Sequence, residues 1–194
     1  VMTRTFTASD DCGNVTVGVQ TITVTDSEAP IFTFVPEDYT AECSSEHPMD
    51  DATATDNCGD VTITIDEEII SNGCSGEYTI VRAFTADDGC GNTTSATQTI
   101  TIIDTTAPFL NVPADYSAEC SDELVMAPAT ASDNCNAVTI TVEEETVQGA
   151  CAGEYIITRT FTATDDCGNS TSGAQVITVV DTTAPELVIP SDYT

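Results

Sequence analysis

EYTIVRAFTADDGCGNTTSATQTITII, residues 77–103, decides the fold. One phase of its first half holds Tyr78, Ile80, Arg82, Phe84 and Ala86, and its second half ends with Thr alternating with Ile. A period of two over such lengths is the signature of a half-buried strand. Thr suits the wet face because it is β-branched yet polar. Between the two runs lies DDGCGN, a cluster of turn formers. The stretch returns as EYIITRTFTATDDCGNSTSGAQVITVV (154–180) and as VMTRTFTASDDCGNVTVGVQTITV (1–24). Self-similarity at a period of about 77 residues makes the chain a stretch of tandem array.

The other apolar runs agree. VTITI (61–65), TQTITII (97–103), AVTITV (137–142) and AQVITVV (174–180) alternate, with SNGCSG, DNCG and TTAP as punctuation. No segment carries helical periodicity with caps. The expected fold is all-β: tandem immunoglobulin-like β-sandwich repeats, disulfide-stapled and arranged head to tail as a rod. Asp26–Pro30, Asp104–Pro108 and Asp181–Pro185 mark the boundaries, since proline after a last strand cannot extend its ladder. This divides the chain into the C-terminal part of one repeat (1–28), complete repeats at 29–105 and 106–182, and the start of another (183–194). IFTFVP (31–36) has one residue more than FLNVP (109–113), which predicts a bulge in the first strand of the earlier repeat.

Cys43, Cys58, Cys74 and Cys90 are spaced 15, 16 and 16 apart, and so are Cys120, Cys135, Cys151 and Cys167. Even sets of cysteine in a small repeat read as a disulfide framework and an oxidising compartment. Zinc sites use closer ligand pairs such as C-x-x-C. Four cysteines allow three connectivities. Following the strands up and down places Cys58 and Cys90 at the N-terminal end of the repeat and Cys43 and Cys74 at the other. The expected pairs are therefore Cys43–Cys74, Cys58–Cys90, Cys120–Cys151 and Cys135–Cys167, with the partner of Cys12 lying upstream.

PEDYTAEC, ATATDNCG, FTADDGCGN and TITIIDTTAP, in that order, resemble the hyalin-repeat (HYR) module. They are most similar to the cysteine-rich HYR-like repeats of very large Bacteroidota surface proteins, including gliding-motility and attachment adhesins. The resemblance implies an immunoglobulin-like fold, secretion, and a place in a long extracellular stalk or filament.

The chain carries 33 acidic residues against three arginines and has a net charge of −30. Nucleic acid is excluded as a partner, because phosphate binding needs clustered Lys and Arg. A hydrophobic content of 40% opposes the disorder that such charge could bring. No long apolar run is present, so no membrane insertion is expected of this segment. The candidate metal ligands are the acidic turn residues: Asp26, Glu28, Asp56 and Asp88 in one repeat, Asp104, Asp133 and Asp165 in the next. Calcium takes six to eight oxygens in flexible geometry and suits converging carboxylates. The competing reading is that Asp and Asn bond their own backbone in ordinary turns.

Arg82 and Arg159 fall in the core-facing phase and require partners; Glu42 with Asp66, and Glu119 with Glu143, are the expected ones. Asn14, Asn92 and Asn169 begin N-x-S/T sequons, though an Asn after Gly also fits a left-handed turn position. By the resemblance, Thr105 and Thr182 in Asp-Thr-Thr are O-glycan candidates. The only histidine, His47, has no counterpart one repeat on, where Leu124 stands, and catalysis finds no support. The expected function is an extracellular structural or adhesive stalk segment at the cell surface, spacing an adhesive or motility element from the cell. Its partners are neighbouring repeats, with lateral self-association or surface glycans as further ones. The alternative is a binding module whose sandwich faces, with rows such as Thr97/Thr99/Thr101, recognise polysaccharide or a surface.

Overall fold

The computed structural model describes Val1–Pro190, so residues 191–194 of the expected closing segment lie outside the described residues. Those described form fourteen strands and no helix; none therefore provides a helix long and apolar enough to cross a membrane. Two compact units divide them: Val1–Asp38, Pro48–Glu68 and Val81–Thr99 in one, and Tyr39–His47, Ile69–Ile80 and the chain from Ile100 onward in the other.

In the first unit, β1 (Met2–Ser9) and β2 (Val15–Ile22) form an antiparallel hairpin. Strand β3 (Ile31–Phe34) pairs antiparallel with β5 (Thr53–Thr55), and the register slips between Phe32 and Phe34. The longer IFTFVP therefore carries the expected irregularity. Its extra residue, Thr33, turns its hydroxyl to the Thr53 carbonyl at 3.1 Å. Strands β6 (Thr62–Ser71), β7 (Tyr78–Asp87) and β8 (Thr93–Ile103) complete the earlier repeat with β4 (Tyr39–Glu42), in the order β4-β8-β7-β6.

The second unit holds β9 (Phe109–Asn111), paired antiparallel with β11 (Thr130–Ser132), and the sheet β10-β14-β13-β12. Strand β10 (Tyr116–Glu119) runs parallel to β14 (Ser170–Val180), while β12 (Val138–Gln148) and β13 (Tyr155–Asp165) meet antiparallel. The two layers of this sandwich approach closely at Gly173 on β14. A Cβ there would lie 2.7 Å from Val112 Cγ2 and 3.7 Å from Leu110, so only glycine lets the layers approach this far.

The core is thin. Ile157, Ile177 and Val179 cluster with Tyr116, Leu124 and Tyr155, and Ile80, Ile100 and Ile102 cluster with Tyr39, Ala41 and Tyr78. Small clusters of this kind leave a repeat of such length marginal without cross-links. The alternation read from the sequence is what buries them: β8 and β14 each end with every second residue buried.

Sequence reading stops short at the edge strands. VTITI continues as DEEIIS into β6, and AVTITV continues as EEETVQ into β12, with nearly every side chain of these extensions exposed. Acidic residues on an exposed edge resist edge-to-edge pairing with another sheet.

The disulfides correct an expectation. Cys43 is bonded to Cys135 and Cys74 to Cys167, rather than Cys43 to Cys74 and Cys135 to Cys167. Cys58, Cys90, Cys120 and Cys151 are exposed free thiols instead of the pairs Cys58–Cys90 and Cys120–Cys151, and Cys12 is free as well. The strand count put Cys43 and Cys74 at one end of a repeat, and Cys135 and Cys167 at the opposite end of the next. Both bonds lie within the second compact unit and join cysteines 92 and 93 positions apart, more than the 31 or 32 expected.

Candidate metal centre and the joint beside it

The turn D-x-C-G-N is built by its aspartate. Asp88 Oδ1 accepts the backbone N–H of Cys90 at 2.7 Å, and of Gly91 and Asn92 at 3.1 Å each. Gly91 supplies the φ of 107° that this wrap needs. Asn92 then clamps the second oxygen, donating from Nδ2 to Asp88 Oδ2 at 2.5 Å. These bonds, led by the Asn92 side chain, hold the Asp88 carboxyl below its ordinary pKa. The Asp165 turn repeats the design with Gly168 and Asn169. Burial pushes the Asp165 carboxyl up, but the Asn169 side chain and backbone and the Gly168 and Cys167 N–H groups outweigh it, so the net shift is downward.

No asparagine takes a left-handed conformation; the preceding glycine does. The sequon residues Asn14, Asn92 and Asn169 instead spend their amides on the aspartate four positions earlier. Thr105 and Thr182 are exposed, and their hydroxyls donate to Glu42 and Glu119.

Asp104, Asp133 and Asp165 converge. One carboxylate oxygen from each lies within 4.8 Å of the others. Asp104 follows the end of β8, Asp133 follows β11 and Asp165 closes β13. Asp104 and Asp165 are only 3% and 6% exposed. Asp104 accepts from the Thr106 N–H at 3.2 Å and from the Asn136 side chain. Asp133 Oδ1 accepts from the Cys135 N–H at 2.8 Å and the Asn136 N–H at 3.1 Å. Asp133 Oδ2 is buried and has no donor at all. Repulsion between charges at this separation is about 3 kcal/mol per pair at an effective dielectric constant of about 20. An orphaned oxygen among three carboxylates is the arrangement that a hard cation with oxygen ligands satisfies.

The matching residues of the earlier repeat form two overlapping groups, Asp26 with Asp56 and Cys58, and Asp26 with Asp88 and Cys90. Glu28 belongs to neither group; it accepts from the Asn57 side chain, and its own N–H bonds Asp26 Oδ1 at 3.1 Å. Partial removal from water, followed by the negative charges of Asp26 and Asp56, raises the Cys58 thiol pKa. Partial removal from water, followed by Asp88, does the same for Cys90.

Asn136 is the functional residue that the sequence reading missed. Its side chain donates to Asp104 and to Cys167 Sγ (3.3 Å), and accepts from Ser75 Oγ at 2.7 Å. Gly59 stands at the matching place one repeat earlier, and that difference was the available signal. Ser75 also reaches Asp166 Oδ2 at 3.1 Å. The acidic cluster, the Cys74–Cys167 bond and this polar bridge thus lie side by side.

Arg82 and Arg159 are internal clamps with partners other than those expected. Arg82 donates to Glu67 (3.0 Å), the Asp50 carbonyl (2.7 Å), Gln98 Oε1 (3.0 Å) and Asp51 (3.3 Å), and covers the Phe84 ring. Arg159 meets Glu144, Gln175 and the Ala127 carbonyl in the same way. Glu144 stands directly opposite Arg159 in the ladder, so it shares its face, whereas Glu143 points the other way. Glu42 and Glu119 are held by Thr105 and Thr182 instead.

Among solved structures, the chain is similar to Drosophila N-cadherin EC1-4 at 12% identity over 79% of this chain and 50% of that one, with a TM-score of 0.37. PcdhgB3 EC1-4 matches at 13% over 93% and 65%, with a TM-score of 0.38. Mouse clustered PcdhgC3 EC1-3 matches at 10% over 93% and 76%, with a TM-score of 0.37. The chain thus spans half to two-thirds of the length of the first two. No curated protein matches it. Residues 109–179 match the HYR-like domain with four cysteines, and the four are Cys120, Cys135, Cys151 and Cys167.

Proposed function

We propose that this chain is a non-enzymatic, extracellular segment of adhesion type, which resists tension as part of a longer stalk that spaces an adhesive or motility element from the cell. The carrying observation is that both disulfides join cysteines 92 and 93 positions apart, more than one period of the sequence self-similarity. Each bond shunts 92 or 93 residues out of the path that a pulling force must follow. Two such bonds across a single joint serve continuity under load, since a bond inside each repeat would leave the joint itself uncrosslinked. Stretching single molecules by their termini tests this. The fully extended oxidised chain should be about 300 Å shorter than the reduced chain, at about 3.3–3.6 Å per hidden residue. Equal lengths in the two redox states would overturn the reading.

Calcium is the second element of the proposal. Asp104, Asp133 and Asp165 would hold it, and Asp133 Oδ2 is the oxygen that otherwise lacks a partner. The ion would neutralise mutual repulsion and brace the acidic turns next to the joint. A cation that binds only the folded state raises its stability by mass action. The thermal midpoint of the oxidised chain should rise on adding millimolar calcium and fall again with chelator, with magnesium ineffective. An unchanged midpoint would remove calcium from the mechanism.

A further inference from the structure

The chain contains one complete disulfide joint and, beyond it, the two halves of that joint repeated without partners. The half supplied by Cys43 and Cys74 is reproduced at Cys120 and Cys151. Cys43 N–H bonds the Ile103 carbonyl at 2.9 Å, and Cys120 N–H bonds the Val180 carbonyl at 2.8 Å. Glu77 N–H closes the turn onto the Cys74 carbonyl at 3.2 Å, and Glu154 N–H closes onto the Cys151 carbonyl at 3.2 Å. The opposite half, Cys135 and Cys167, is reproduced at Cys58 and Cys90. Asp56 holds the Cys58 N–H at 2.8 Å just as Asp133 holds that of Cys135. All four unpartnered thiols are exposed.

We propose that Cys120 and Cys151 form a docking end for a further module of this same type. That module presents an Asp-Asn-Cys turn and a D-x-C-G-N turn, and two disulfides clamp it. Cys58 and Cys90 are the complementary end, which takes a module presenting the counterparts of Cys43 and Cys74. Charge alone disfavours such a contact, because both surfaces are acidic, so covalent bonds rather than attraction must hold it. Ala152 stands where Ser75 stands, and the hydrogen bonds that Ser75 gives to Asn136 and Asp166 are absent from the second joint. There the disulfides act without that polar bridge.

Each bond forms by oxidation of two thiols, which lose two protons and two electrons. A small-molecule or enzyme disulfide is the oxidant and leaves as two thiols, by way of a mixed disulfide.

This inference rests on the reading of the chain as a tandem structural segment, and disulfide mapping separates the two. Pro190 to Thr194, PSDYT, matches PADYS at 113–117. A second copy of residues 118–194 attached after Thr194 therefore continues the repeat in register. The extended full chain is reduced, refolded in a glutathione redox buffer with chelator, digested at acidic residues and mapped by mass spectrometry. The expected result is Cys120 bonded to the copy of Cys135 and Cys151 to the copy of Cys167. The double variant C120S/C151S should leave those two copies alkylatable. A Cys120–Cys151 bond, or free thiols at both positions alongside intact Cys43–Cys135 and Cys74–Cys167 bonds, would overturn the proposal alone. Failure of the latter two bonds as well would overturn the tandem reading.

Discussion

The side-chain amide of Asn169 donates to the backbone carbonyl of Asp104, 65 positions earlier, at 3.0 Å. The same nitrogen donates to Asp165 Oδ2 at 2.9 Å. One amide therefore fixes the turn after β13 and ties it to the segment that leaves β8. The acidic cluster is assembled by donors of this kind, with no cation among the side chains that bond to it.

That bond gives a pH dependence with a definite sign. The Asp165 carboxyl lies below its ordinary value of 3.8 in the folded chain. A depressed folded pKa contributes stability above the unfolded pKa, and the contribution is lost as pH falls through the folded one. Asn169→Ala should therefore destabilise the chain near pH 7, and the gap from the parent should close as pH drops below about 4. Urea unfolding in chelator measures it. A gap that stays constant down to pH about 3 would show that Asn169 acts through packing alone.

Gly76 is buried, and a Cβ on it would lie 2.6 Å from Asn136 Nδ2. Asn136 cannot yield freely, because its amide is engaged by Asp104, Ser75 and Cys167. Gly76→Ala should cost about 1–3 kcal/mol, the usual range for overpacking. Gly59→Ala meets nothing within 4 Å and serves as the neutral control. Adding Asn136→Gly to Gly76→Ala should recover part of the loss, with denaturant midpoints as the readout.

Arg82 and its partners separate a buried clamp from a surface ion pair. The Arg82 side chain is 3% exposed, whereas that of Glu67 is 45% exposed. Truncating Arg82 to alanine strands Gln98 Oε1 and the Asp50 carbonyl and should cost about 3–5 kcal/mol. Glu67→Gln loses one water-screened charge and should cost less than about 1 kcal/mol. Equal losses from the two variants would mean that the ion pair, rather than the buried hydrogen bonds, carries the site.

The sequence shows plainly which residues gather. Alternation gives the strands, the D-x-C-G-N blocks give the turns, and following the strands end to end brings Asp104, Asp133 and Asp165 together before any coordinates. It also sets Cys43 and Cys74 apart from Cys135 and Cys167, and these two sets are the ones that bond to each other. It could not say whether a thiol at one end bonds its neighbour in the same repeat or a thiol of the next, because both are close and chemically identical. Glu144 was missed in favour of Glu143 because a strand register off by one turns every side chain to the other face. The acidic halves of β6 and β12 escaped because both of their faces are wet, which leaves no alternation to read.

Asp133 yields a prediction whose sign reverses with conditions. Without a cation, its Oδ2 is a buried acceptor with no donor, within 4.8 Å of carboxylate oxygens of Asp104 and Asp165. Asp133→Asn removes one charge from the cluster and keeps the acceptor for the Cys135 and Asn136 N–H groups. In chelator the variant should therefore melt at a higher temperature than the parent. In millimolar calcium the order should invert, because the parent gains the binding energy of the ion and the variant, short of one carboxylate, gains far less. Differential scanning calorimetry of the two oxidised proteins in both buffers reads the crossing directly. A variant more stable in both buffers would mean that the cluster is merely repulsive, and one less stable in both that Asp133 serves only its turn.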